Sequence, residues 1–254
     1  MSIRLPGRDR APLDLPPVFT LVRVAEDVRA HDHAIAIAAE AGAATLVWTD
    51  RNDVAEFAVI LEPAEPLTRA RASFFIGMAA LLDTLAMRAP PEKPLTVDWP
   101  GAVLMDGGLL GGGRLAWPDD AVEDEPPAWV IFSAMVRVAL LDVAEPGLAP
   151  AATGMVEEGF DEVDVGDLLA AFARHLMVHV DSWQERGLKG VVSEYLGYLA
   201  TGRERDRRGI DVSGDLVFEG VMGKIGDRIP LLPALTEAAW LDRSSGAPRL
   251  GGGL

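Results

Sequence analysis

No cysteine occurs anywhere in the 254 residues. Disulfides, thiolate metal sites and any acyl relay through a thiol are therefore excluded, and the composition suits a reducing, cytoplasmic setting. Lysine is nearly as scarce, with only Lys93, Lys189 and Lys224. Thirty-nine acidic residues outweigh 23 Lys plus Arg, which leaves a net charge of −16. Such a surface repels phosphodiesters, so no nucleic-acid partner is expected. No stretch reaches the roughly 18 apolar residues of a membrane span, and "AIAIAAEAGAATLVW" is both short and interrupted by Glu40. The leader "MSIRLPGRDRAPLDLPP" lacks the apolar core of a signal peptide, and residues 1–17 read as flexible. There is no P-loop, no GxSxG elbow and no HExxH.

What is present is a chain 49% hydrophobic, enough for one large domain with a sizeable core. "FTLVRV" reads as a strand, and "AEDVRAHDHAIAIAAEAG" as a helix closed at Gly42. "ATLVW" and "AEFAVILEP" read as strands around the polar turn "TDRNDV". A helix is predicted from Arg69 to Arg88 with Thr68 as its N-cap and Phe75, Ala79, Leu82 and Ala86 on one face. "AWVIFSAMVRVAL" is an apolar strand, and residues 145–154 are a linker rich in Gly, Pro and Ala. "VGDLLAAFARHLMVHVDSWQER", ended by Gly187, is the clearest helix, and "KGVVSEYLGYLA" follows it. Beyond the charged stretch "TGRERDRRG", short strands broken by glycine turns form a small appendage that cannot bury a core alone. The irregular mixing of strands and helices indicates an α+β domain with a mixed or antiparallel sheet.

"VDWPGAVLMDGGLLGGGRLAW", Val97 to Trp117, contains a hairpin signal with Asp106-Gly107 at the turn. Gly111, Gly112 and Gly113 lie inside the second strand, where glycine marks either tight packing or the close approach of another group to the backbone. Trp99-Pro100, Val103-Leu104, Asp106-Gly107 and Gly111-Gly112 together resemble the biotin–protein ligase signature, K-W-P-N-D-V-L-x-D-G-K-K-x-x-G. The helix before the tryptophan, the strand from Ala128, the long helix and "RGIDVSGDLVFEG" are similar to that family's segments in the same order. The resemblance implies the biotin/lipoate ligase fold: a mixed sheet flanked by helices over residues 18–202. A shortened SH3-like appendage over 203–254 would follow, without the DNA-binding domain of regulatory ligases.

The family activates biotin or lipoate with ATP as an acyl-adenylate and passes the acyl group to a carrier-domain lysine. That chemistry needs cations between two anions, a lid against water and small residues under the ligand. The resemblance places the glycine run at the floor of the acyl pocket, with Trp99 beside it. The departures fall on the chemistry. The family lysine before Trp-Pro is Asp98, Gly101-Ala102 replace Asn-Asp, and the long "GRGRxGRxW" loop has shrunk to "TDRNDV". Ser133, Met135 and Arg137 replace residues of the family's "GIGIN" strand.

The expectation is thus a degenerate ligase-like protein that keeps a small-molecule carboxylate pocket. Trp99, Gly111, Gly112, Gly113, Arg114 and Arg137 are its candidate ligand-binding residues, and no catalytic residue can be assigned. The two arginines are either anion clamps, since a guanidinium grips carboxylates bidentately, or salt-bridged strand positions. The alternative is a working ligase with ATP and biotin or lipoate as cofactors, a carrier domain as partner, and relocated cations such as Arg114, Arg137 or Lys224. A third reading is a structural role, with a homodimer formed through edge strands. His175 and His179, four apart on the long helix, have metal-ligand spacing but no evident third ligand, so no metal is assigned. The acidic run Asp119 to Glu125 reads as a solvated loop.

Overall fold

The structure is a computed structural model that describes residues 13–141, 149, 151–161, 163–200, 207–219 and 225–250. Residues 1–12, most of the expected linker, the 202–203 boundary and Lys224 lie outside them. Seven strands form one sheet: β1 (Thr20–Val24), β2 (Thr45–Thr49), β3 (Val54–Leu61), β4 (Leu95–Asp98), β5 (Ala102–Met105), β6 (Gly108–Ala116) and β7 (Val130–Arg137). Their spatial order is β1-β2-β3-β7-β6-β5-β4. β1 runs parallel to β2 and the other neighbours are antiparallel, so the sheet is mixed as expected.

Helices cover both faces, which is why β7 is buried at every position and reads as a continuous apolar run. On one face lie α3 (Ser73–Ala86), α4 (Val165–Arg186) and α5 (Leu188–Tyr198), in one cluster with Leu46, Phe57, Phe132 and Val136. The other face carries α1 (Ala30–Ala41), whose Ala30, Ala34 and Ala38 pack on Val47, Ala58 and Ile131. Farther along this second face, Trp240 and Leu241 from the C-terminal segment pack on Val54, Ala102, Leu109 and Met135. Leu13 and Leu15 pack against the first cluster, and Arg174 donates to the Asp14 carbonyl at 2.9 Å.

The long helix α4 runs from Val165 to Arg186, as its pattern predicts, with Asp164 capping the N–H of Asp167 at 3.0 Å. The helix predicted at Arg69–Arg88 divides instead. A short α2 (Leu67–Ala70) ends where Arg71 and Ala72 turn the chain, and α3 begins at Ser73. Thr68 lies within α2 and caps nothing; Pro66 holds the N-cap position. The first helix is also shorter than its pattern, because residues 25–29 form the approach to α1. Three further strands, β8 (Arg207–Ile210), β9 (Leu216–Glu219) and β10 (Ile225–Ile229), make a small antiparallel sheet. A short α6 (Leu231–Thr236) follows. Among the described residues this appendage has no core of its own: Leu216, Leu231 and Leu235 join the main cluster.

Candidate functional site

The hairpin folds as its glycines require. Asp106 and Gly107 both have positive φ, +50° and +82°, which is the type I′ geometry that joins two right-twisted strands. Lys93 closes the turn from outside, at 2.8 Å from Asp106 and 2.9 Å from Glu158, so it is committed there.

The three strand glycines are explained by contacts within the chain. A Cβ on Gly113 would lie 2.5 Å from Met78 Sδ on the α3 side. One on Gly112 would lie 2.5 Å from a ring carbon of Trp240, on the opposite side. One on Gly111 would strike the Met135 carbonyl. Trp240 is 2% exposed, and its Nε1–H donates to the Gly113 carbonyl at 3.3 Å. The face of Gly112 that a ligand would meet is therefore covered by an indole.

Alternation along the strands brings a polar set to this second face. Arg114 of β6 is the register partner of Ser133 of β7, which in turn pairs with Ala58 of β3. Ser133 Oγ hydrogen bonds His31 Nδ1 of α1 at 2.5 Å. Burial, with Arg114 and then Arg29 nearby, pushes the His31 imidazole down to about 3, so it is neutral at ordinary pH. Glu56 of β3 is 2% exposed; its Oε1 accepts the Ala30 N–H at 3.0 Å, at the start of α1. Burial raises its carboxyl. Burial also lowers the Arg114 guanidinium, opposed by Asp32 and Glu56. Arg114 Nη2 is buried and has no hydrogen-bond partner among the described residues. A buried donor left unmatched in this way is unfavourable, by about 1–3 kcal/mol for a neutral group and more for a charged one.

Two cavities flank Arg114. One, of about 360 Å³, is lined by His31, Arg114, Trp117, Asp119, Leu241 and Arg243 among others. The second, of about 100 Å³, lies between Asp98–Ala102 and residues 237–240, so Asp98 and Trp99 line it together with Arg114. Trp99, joined to Pro100 by a cis peptide bond, also packs against Phe75 and Tyr195, with ring centroids 5.9 and 6.3 Å away. Leu235 and Ala238 wall both cavities. The C-terminal segment thus stands over the sheet where the resemblance asks for a lid. The β2–β3 connection contributes none: it spans only Asp50 to Asp53, and Arg51 turns onto Asp53 at 2.5 Å and Glu56 at 3.7 Å.

The other candidates are placed elsewhere. Arg137, expected as a clamp or a salt-bridged residue, is 5% exposed and donates to four carbonyls. These belong to Leu109 and Thr153 at 3.0 Å, Pro248 at 2.7 Å and Arg249 at 3.3 Å. It pins the C-terminal segment to β6. His175 and His179 do not converge. His175 Nε2 meets Met87 Sδ at 3.0 Å, whereas His179 lies between Asp83 at 2.8 Å and Glu194 at 3.3 Å. The acidic run is partly engaged, since Glu123 takes Arg71 in a bidentate pair at 2.7 and 2.5 Å.

Nothing in the sequence marks His31, Trp240 and Arg243 as parts of this site. His31 sits in an ambiguous His-Asp-His, and Trp240 is distant in the chain. The unexplained glycine run was the available signal for a large residue packed on it.

Comparison with known proteins gives the lineage of this arrangement. The chain is similar to a biotin protein ligase-like protein of unknown function from Silicibacter sp. TM1040, with 25% identity and a TM-score of 0.75 over 89% of this chain and all of that one. The biotin protein ligase of Aquifex aeolicus shares the fold at 15% identity and a TM-score of 0.64, over 84% of this chain and 96% of that one. That of Leishmania major, in complex with biotinyl-5-AMP, matches at 16% identity and 0.53, over 84% and 98%. None of the curated proteins matches. The model of the biotin/lipoate A/B protein ligase family matches residues 15–197, well over half of the chain. With its mixed sheet and helix-covered faces, the chain belongs to the biotin/lipoate A/B protein ligase family.

Proposed function

We propose that this chain is a binding protein built on the ligase fold, which holds a small-molecule carboxylate at Arg114 and does not form an acyl-adenylate. The observation that carries this reading is Arg114 itself: a half-buried arginine whose buried Nη2 is unmatched, lining a cavity beside a neutral imidazole. A carboxylate entering that cavity supplies the partner the fold withholds, and a charge-assisted pair forms in a poorly solvated place. Adenylation is disfavoured by Asp98, a negative charge on the rim where an anhydride would form from two anions. The Aquifex enzyme binds biotin and ATP, so both belong in the panel of ligands to be tested.

One observation favours the second reading, an active ATP-dependent ligase. Arg243 lines the same cavity as Arg114, so two cations are within reach of one ligand. Isothermal titration with benzoate, octanoate, biotin, lipoate and ATP, followed by mass spectrometry, separates the two. The binding-protein reading expects at least one carboxylate to bind and to lose about tenfold or more in affinity in Arg114→Ala. It also expects no adenylate. Unchanged affinity in Arg114→Ala removes the clamp, and a detected acyl-adenylate replaces this reading with the second.

A further inference from the structure

A cavity of about 640 Å³, larger than either beside Arg114, opens on the face that α3 and α4 cover. It lies between those helices, the approaches to β1 and β2, and the loop that leaves β3. Phe19, Leu61, Ile76, Leu176, Val180 and Trp183 wall it, and all six belong to the main core or pack against it. Val18 and Met177, 56% and 38% exposed, also line it, so apolar side chains stay in solvent around an open cavity. Every ionisable residue of the lining is acidic: Glu62, Glu65 and Asp181. None of the three makes an ion pair among the described residues. Ser73, 1% exposed, is in the lining too, and its hydroxyl makes no hydrogen bond among the described residues. The last turn of α4 borders the cavity through Trp183 and Gln184, so the negative end of a 22-residue helix adds to the carboxylates.

We propose that this cavity is a second ligand site, for a protonated amine that carries an apolar body. The proposal is independent of the Arg114 reading, because the two sites share no residue. The volume is that of a small-molecule site and accepts a body of eight or so carbons against the apolar wall. The ammonium has three N–H donors, which the carboxylates and the Ser73 hydroxyl can accept. The rings of Phe19 and Trp183 add faces that attract a cation. An acid would meet three carboxylates and no cation, so the ligands expected at Arg114 are refused here.

The test is titration calorimetry with octylamine, octanol and ethylamine. Wild type is expected to bind octylamine about tenfold or more tightly than either, because octanol lacks the charge and ethylamine lacks the body. Glu62→Gln, Glu65→Gln and Asp181→Asn combined are expected to cost octylamine about tenfold and to leave octanol within about threefold. Glu26→Gln, Glu92→Gln and Asp120→Asn combined remove the same charge at exposed positions outside the cavity, and are expected to leave octylamine within about threefold. Met177→Lys, which sets a cation in the lining from an exposed position, is expected to cost octylamine about tenfold.

Equal losses in the two triple variants would reduce the effect to general attraction by an acidic protein and overturn the proposal. Octylamine no tighter than octanol overturns it as well, and so does an unchanged affinity in Met177→Lys. If octylamine fails to bind and sedimentation shows a wild-type dimer that Met177→Lys abolishes, the face belongs to a second copy of the chain and the ligand site is overturned.

Discussion

His31 shows how one buried side chain couples the site to pH. Its folded pKa is near 3, while in the unfolded chain it is about 6.5. Below pH 6.5 the unfolded state therefore binds a proton that the folded state refuses, until pH approaches 3. The stability held above the unfolded pKa is lost as pH falls through that window, at up to about 1.4 kcal/mol per pH unit. Between pH 6.5 and 5 this amounts to roughly 2 kcal/mol. Urea unfolding of wild type and His31→Gln at several pH values is the measurement. The slope of stability against pH should flatten in the variant, and parallel slopes would show that the imidazole is not the group that resists protonation. Arg114 contributes to the refusal, so an anion bound there should raise the His31 pKa. The sequence carries no signal of this coupling: His31 and Arg114 are far apart in the chain and come near each other only because α1 packs over β2, β3 and β7, beside β6.

Among the elements, those with a strong period were the most legible. The helix Val165–Arg186 and the hairpin at Asp106-Gly107 could be read to the residue, because an N-cap aspartate, a terminal glycine and two positive-φ positions are local facts. The helix around Arg69 departs from its pattern at its start, since the Leu67 and Thr68 amides bond the carbonyls of Glu125 and Glu123 in a loop distant in sequence. The role of Arg137 was illegible for a different reason: its four acceptors come from Leu109, Thr153, Pro248 and Arg249, three of them remote in sequence. Those bonds predict a local effect of Arg137→Met. The amides of Leu241, Asp242 and Arg249, which bond within the C-terminal segment, should exchange with deuterium about tenfold faster or more, while those of α4 should change little. Equal acceleration in both would mean that the arginine supports the whole fold rather than the segment.

At the scale of the whole molecule, a net charge of −16 on 254 residues sets a self-repulsion that compaction raises. Salt should therefore stabilise this protein. Raising NaCl from about 0.05 to 0.5 M shortens the screening length from about 14 to about 4 Å and is expected to lift the melting temperature by about 2–4 °C. A fall would mean that specific ion pairs such as Arg71–Glu123 outweigh the general repulsion. The ligase frame was readable at this scale from the order of weak motifs. The part of the second face that α1 leaves uncovered was not, because Trp240 and Leu241, which cover it, lie far in the chain from most of the residues they pack on. That contact has a consequence for how such sequences diverge. A Cβ on Gly112 would clash twice, with the Gly101 carbonyl and, at 2.5 Å, with the Trp240 indole, whereas a small residue in place of Trp240 leaves only a void. Relatives should therefore keep glycine at position 112 even where the tryptophan is replaced, because a backbone carbonyl cannot step aside as a side chain can.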